Sequence, residues 1–353
     1  MGGEITTDRS EGAGEGGVTR RQALGGAAAA LLAVLVDFRA AHAAGQVLKV
    51  GLIMPNYDQL RWRNADQAFF EKQAAELGIE VLAQSSNADE TLQASQVENM
   101  LTQGIQVLVL TPVNAAAAQG MVRRATRAGV PVINYNFLID KADCVCFLGR
   151  DAVEMGEKIA EAAVAAHPRG NYVIAAGDEG TSVARETRQG FLNVLRPRLD
   201  RGEIRLVSDQ FNKGWSSETA RAQVENALTT ADNDVSVVLC GNDGTAYGAI
   251  QALQAQGLGG KVFVTGIDAE PQAQELIRQG LMALSNFTAF DRMGAEAARA
   301  ALAVAEGRPI EANATVDNGA KTIPWIKILN FNVTRENLDQ SARDYPWWFA
   351  AKA

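Results

Sequence analysis

Histidine is nearly missing from this chain. Only His42 and His167 occur among its 353 residues, and His42 falls inside a leader-like segment. Serine and cysteine nucleophiles need an imidazole or an equivalent base beside them, so both chemistries would rest on His167 alone. That residue stands in "AAHPRG", at the end of a helical pattern, where a histidine serves as a surface C-cap. Zinc sites of the usual His/Cys type are short of ligands too. The cysteines are three, Cys144, Cys146 and Cys240, an odd count that builds no disulfide framework. Cys144 and Cys146 alternate along "DCVCFLG" and share one strand face, as small buried apolar residues do. Clusters of Lys and Arg are also absent, and the net charge of −8 excludes nucleic acid and anionic membrane as natural partners. No apolar run is long enough to span a bilayer. These shortages point to a protein that is not an enzyme, with no catalytic residue, metal or cofactor.

Two things are plentiful. The first is a leader: in "TRRQALGGAAAALLAVLV", Arg20 and Arg21 precede an apolar run over residues 23–36, and Ala41, His42 and Ala43 form an A-x-A cleavage pattern. The pattern predicts an export signal over residues 1–43, of twin-arginine type, cut near Ala43. No cysteine near its end offers a lipid anchor, so a free periplasmic monomer is expected. The second is alternation. Short apolar runs at 47–54, 79–84, 107–112, 130–135, 144–149, 171–177, 204–210, 235–240, 261–267 and 282–287 are separated by amphipathic helical patterns. Ala94, Val97, Met100 and Leu101, for example, fall on one helical face. Continuous apolar strands between helices mean parallel sheets covered on both faces. Ten strands are many for one sheet, which favours two sheets in two lobes.

Open α/β sheets bind ligands beyond the carboxyl ends of their strands. Here those tips read "MPNYDQLRW", "TPVN", "NYNF", "GRD", "AGDEG", "DQFNKGW", "GNDG" and "GIDAE", rich in amides, carboxylates, arginine and aromatic rings. "LCGNDGTAYGAIQAL" shows the problem in miniature: an apolar strand ends in Asn242 and Asp243 between glycines, and a helix follows. It lacks the lysine of a phosphate loop, the G-x-G-x-x-G of a dinucleotide fingerprint and the G-x-S-x-G of a nucleophile elbow. Asp243 as a helix N-cap would explain that residue alone, not the similar placing of Asp268 in "TGIDAE".

The segments "KVGLIMPNYDQLRW", "SQVENMLTQGIQVLVLTPVN", "DQFNKGWSSETA", "VVLCGNDGTAYGAIQALQAQGL", "VTGIDAE" and "VDNGAKTIP" resemble, in order, the periplasmic sugar-binding proteins of the ribose/xylose type, most of all the D-xylose-binding branch. The resemblance implies two Rossmann-like lobes (the type I periplasmic binding fold) joined by three crossings near 149–151, 287–290 and 321–325. It divides the chain into a first lobe at 46–149, completed by 288–322, a second lobe at 150–287 and a C-terminal segment at 323–353. It implies a small neutral sugar or polyol as ligand, the permease of an ABC transporter as partner, and a chemoreceptor as a further one. Carried over by position, the ligand contacts are Arg61, Trp62, Arg188, Trp215, Asn242 and Asp268. The chain departs from the family where relatives carry an Asp-Arg clamp, since Asn136 and Phe137 stand there. Ser182, Val183 and Thr288 likewise replace the two asparagines and the lysine of the xylose branch. Asn136 and Phe137 are therefore expected to touch the ligand but to disfavour D-xylose. A regulator with these lobes would open on a helix-turn-helix, and a sugar-modifying enzyme would need a carboxylate cluster or a cofactor fingerprint.

Overall fold

A computed structural model describes residues 47–349, which form one compact unit; the expected leader lies outside them. The first sheet is built from β1 (Lys49–Met54), β2 (Glu80–Ser85), β3 (Val107–Leu110), β4 (Val132–Tyr135) and β5 (Cys146–Gly149). Helices α1 (Ala68–Glu76), α2 (Glu90–Thr102) and α3 (Ala115–Arg127) connect them. Strand order is β11-β12-β5-β4-β3-β1-β2, where β11 (Ala314–Asp317) and β12 (Thr322–Lys327) arrive late in the chain. The second sheet has the order β13-β10-β9-β8-β6-β7. Its members are β6 (Gly170–Ala176), β7 (Ile204–Phe211), β8 (Val237–Cys240), β9 (Phe263–Ile267), β10 (Leu284–Thr288) and β13 (Asn330–Thr334). Around it lie α4 (Ala152–Ala166), α5 (Ser182–Asp200), α6 (Ser217–Thr230), α7 (Asp243–Ala255) and α8 (Pro271–Gln279). All pairings are parallel except β11 with β12 and β10 with β13. All ten strands expected from the sequence are present.

Strand burial explains the sheets. β3, β4, β5 and β8 are buried throughout, so apolar residues occupy both faces and helices cover each side. Val97 and Met100 of α2 enter the first-lobe core with Leu108, Val122 and Val132. The three cysteines are free and buried; burial pushes the Cys144 and Cys146 thiols up to about 12, which keeps them protonated and inert. His167 ends α4, donating its N–H to the Ala163 carbonyl.

The chain leaves the first sheet after Gly149, returns after Thr288 through α9 (Phe290–Ala305), which packs on α1, and leaves again after Lys327. The third crossing is thus later than the expected 321–325, because β12 continues to Lys327 alongside β5. Away from the crossings the lobes also touch. The Leu138 amide donates to the Ser182 hydroxyl at 2.7 Å, the Ala115 amide to the Gly180 carbonyl at 3.2 Å, and Arg185 pairs with Asp140 at 3.4 Å.

Next to that pair, Glu186 has its carboxyl pushed up to about 7 by burial, with Asp140 and Asp151 adding to the rise and Arg185 opposing it. Its folded pKa lies above the ordinary 4.5, so the folded protein holds an extra proton between those values. The resulting penalty grows as pH rises from 4.5 to 7 and is full above 7. Glu186→Gln is expected to stabilise the protein by about 1–2 kcal/mol at alkaline pH, after allowance for solvent screening, and by little in mild acid. Denaturant melts at the two pH values check this; equal effects at both would contradict it.

Candidate functional site

The strand tips converge between the sheets. Beyond β1, Arg61 precedes a π-helical turn (Trp62–Gln67) that runs into α1. The wide turn matters, since π geometry stacks residue i over i+5 and so sets Asp66 against Arg61. The Arg61 Nε and Nη2 donate to the two Asp66 oxygens at 2.9 and 2.8 Å. Tyr135, at the end of β4, donates its hydroxyl to Asp66 at 2.7 Å. The Arg61 Nη2 also reaches the Asn136 Oδ1 at 3.2 Å, and its Nη1 reaches the Asp268 Oδ1 at 3.4 Å. From the tip of β5, the Arg150 Nη1 meets the same Asp268 oxygen at 3.4 Å and the Thr288 hydroxyl at 3.3 Å. Arg61, Asp66, Arg150 and Asp268 are no more than 4% exposed. Two cations and two anions therefore balance in a buried cluster. Burial works against the Arg61 charge, but Asp66 and Asp268 outweigh it and raise its pKa. Burial lowers that of Arg150, with Asp268 resisting, and both guanidiniums stay charged at neutral pH.

Three rings wall the site. Trp62 and Phe137 meet edge to face at 5.7 Å, and Phe137 of the first lobe faces Trp215 of the second at 6.4 Å, 12° from parallel. Trp215 ends a short 3-10 turn (Lys213–Trp215). Its ring lies on Gly177, at the tip of β6, where a Cβ would stand 2.0 Å from the indole. The Asp178 carboxylate fixes the turn by accepting from the Gly214 and Gly180 amides. Asn136, Trp215 and Asp268 all have left-handed φ, at 62°, 59° and 99°, a strain that surrounding structure must hold in place.

Asn242 lies two residues beyond β8 and is itself the N-cap of α7. Its Oδ1 accepts from the Thr245 amide at 2.8 Å in a capping box, which leaves the side-chain NH2 as the group it can offer. The cap is not Asp243. That carboxylate accepts from the Ser285 hydroxyl at 2.6 Å and the Glu270 amide at 2.7 Å, and burial raises its pKa well above the usual carboxylate range.

Gln59, Arg61, Trp62, Phe137, Arg150, Trp215, Gly241, Asn242 and Asp268 enclose an inner chamber with free room of about 10 Å³, the space of one water. It adjoins an outer cleft of about 510 Å³ through the shared walls Gln59, Trp62, Phe137 and Trp215. Two nearly parallel rings at this spacing hold nothing between them. Among the described residues, three buried donors here have no protein partner, the Trp62 Nε1, the Asn136 Nδ2 and the Arg150 Nε. Each such group costs about 1–3 kcal/mol, and hydroxyl oxygens would satisfy them.

Residues 50–309 match the family model described as "Periplasmic binding protein domain". The chain belongs to the periplasmic binding protein family. It is 36% identical over 299 residues, 85% of this chain and 90% of the relative, to the D-xylose-binding periplasmic protein of Escherichia coli (strain K12). A carbohydrate transporter solute binding protein from Chloroflexus aurantiacus in complex with D-glucose superposes with TM-score 0.80 at 26% identity, covering 86% of this chain and 98% of that one. An ABC transporter solute binding protein from Bacillus halodurans with bound myo-inositol gives 0.73 at 25%, covering 84% and 98%.

This binding protein brings seven of the eight residues singled out in the sequence to one place: Arg61, Trp62, Asn136, Phe137, Trp215, Asn242 and Asp268. Arg188 is not among them. It lies seven residues into α5, and its guanidinium is held by Asp209 at 2.7 and 2.5 Å over the Phe211 ring. Arg150 was missed, although the tip "GRD" displays it. Asp66 was hidden because only the π turn sets it under Arg61.

Proposed function

We propose that this periplasmic binding protein captures a small neutral sugar or polyol between its lobes and delivers it to the permease of an ABC transporter, making and breaking no bond. The observation that carries the reading is the balanced set of four buried charges beside unpaired donors and aromatic rings. A charged ligand would upset that balance, whereas hydroxyls supply acceptors to the orphan donors and donors to Asp268. A sugar's apolar face suits Trp62, Phe137 and Trp215. A ligand touching both lobes favours their closure by binding that state better. The named ligands of the relatives, D-xylose, D-glucose and myo-inositol, support the same class. The sequence of residues 1–43 supports export to the periplasm, where a chemoreceptor is a second possible partner.

Within that class D-xylose is expected to bind weakly. The xylose branch resembled by the sequence carries a charged clamp where Asn136 and Phe137 stand, and here the guanidinium comes from Arg150, at another strand tip. A thermal-shift screen over pentoses, hexoses, tetritols, pentitols and inositols tests both points, because a ligand well above its Kd raises the melting temperature. The expected result is a clear rise with at least one of them and a smaller one with D-xylose. The largest rise with D-xylose would refute the clamp argument. Rises only with amino acids or nucleosides, or conversion of a bound sugar into products, would refute the capture reading.

A further inference from the structure

We propose that Trp348 is a positioning residue for the ligand site, fixing the carboxylate of Asp268 from behind; this rests on the capture reading above. Trp348 is buried, and its indole N–H donates to the main-chain carbonyl of Asp268 at 3.0 Å across 80 residues of sequence. The other side of the same residue is held as well, since the Asp268 amide donates to the Asn286 carbonyl at 2.7 Å. With φ at 99°, Asp268 sits in a backbone region that an L-residue leaves unless it is restrained on both sides. The direction of its carboxylate follows from that backbone, and the carboxylate is the one acceptor shared by Arg61 and Arg150.

Trp348 is itself anchored. Its carbonyl accepts from the Gln274 Nε2 at 3.2 Å, and the same NH2 group holds the Ala269 carbonyl at 2.9 Å. Its ring meets Phe290 edge on at 5.8 Å, and the Phe290 ring also carries the Arg61 guanidinium, 4.0 Å from its centre. One side chain thus stands behind one of the two anions of the site and, through Phe290, behind one of its cations. Packing alone would be served by any large ring; only an N–H donor at this position restrains Asp268.

The test compares Trp348→Phe, which keeps a ring and removes the donor, with Phe191→Leu, a core change in α5 remote from the site. Titration calorimetry uses the sugar or polyol giving the largest thermal shift. Trp348→Phe is expected to weaken its Kd roughly three- to tenfold, the worth of one hydrogen bond, while Phe191→Leu lowers the melting temperature and leaves Kd unchanged. Hydrogen exchange without sugar is expected to quicken at the amides of Asp268 and Ala269 in Trp348→Phe only. If Trp348→Phe matches Phe191→Leu in both measurements, the proposal is overturned. If no sugar binds the unmodified protein, the capture reading fails, and the exchange comparison alone decides whether Trp348 restrains this turn.

Discussion

Asp268→Ala is expected to abolish sugar capture and, at the same time, to destabilise the sugar-free protein by about 3–5 kcal/mol. A carboxylate at a strand tip would ordinarily be dispensable to the fold. The structure changes the expectation, because Asp268 is the acceptor shared by Arg61 and Arg150, both buried. Removing it leaves two guanidiniums facing each other with Asp66 alone to balance them. Asp268→Asn keeps the shape and loses the charge, so it should recover little of either property. Calorimetric titration and urea unfolding check the two halves separately. Binding retained within threefold of the unmodified protein would remove Asp268 from the site, and unchanged stability would contradict the buried balance.

Gly177→Ala should weaken capture at least tenfold while costing the fold about 1–3 kcal/mol. The added methyl would stand 2.0 Å from the Trp215 ring, so the ring must move. It cannot retreat easily, because Asp178 pins Gly214 next to it and Trp215 already occupies a left-handed backbone. The ring is driven instead toward Phe137 and into the chamber it walls. Indole fluorescence of the sugar-free variant, together with its Kd, reads the displacement. A variant that binds as tightly as the original would show that the face of Trp215 is not a contact surface.

The sequence displays strands more clearly than partners. The runs at β3 and β8 are apolar on both faces, β4 is so but for Asn134, and the residues just beyond them are tips by construction, which is why Asn136, Phe137 and Asn242 were legible. β11, β12 and β13 were not. Their residues are largely half-buried or exposed, so their pattern resembles that of a tail. Resemblance fixes a position along the chain and not the rotation of a helix: seven residues into α5, Arg188 pairs with Asp209 instead of joining the buried cluster. Arg150 stood in plain view at a strand tip, but its value depends on Asp268, 118 residues away. Trp348 depends on a contact of the same long-range kind, which no local pattern announces.

The late strands also decide when the molecule can form. β12 pairs with β5, some 176 residues earlier, as the bond from Trp325 to Gly149 measures, and β13 closes the edge of β10 only after the chain has crossed between lobes for the third time. Until residue 327 is made the first sheet keeps β5 as a raw edge of unpaired main-chain groups, and until residue 334 the second sheet keeps β10 so. Such edges invite pairing with other chains, and contacts this distant in sequence slow folding. Neither lobe, cut out as a contiguous piece, carries all of its own strands. Assembly is therefore a single late event that engages both lobes together, and the nascent protein passes most of its synthesis in need of protection from its neighbours.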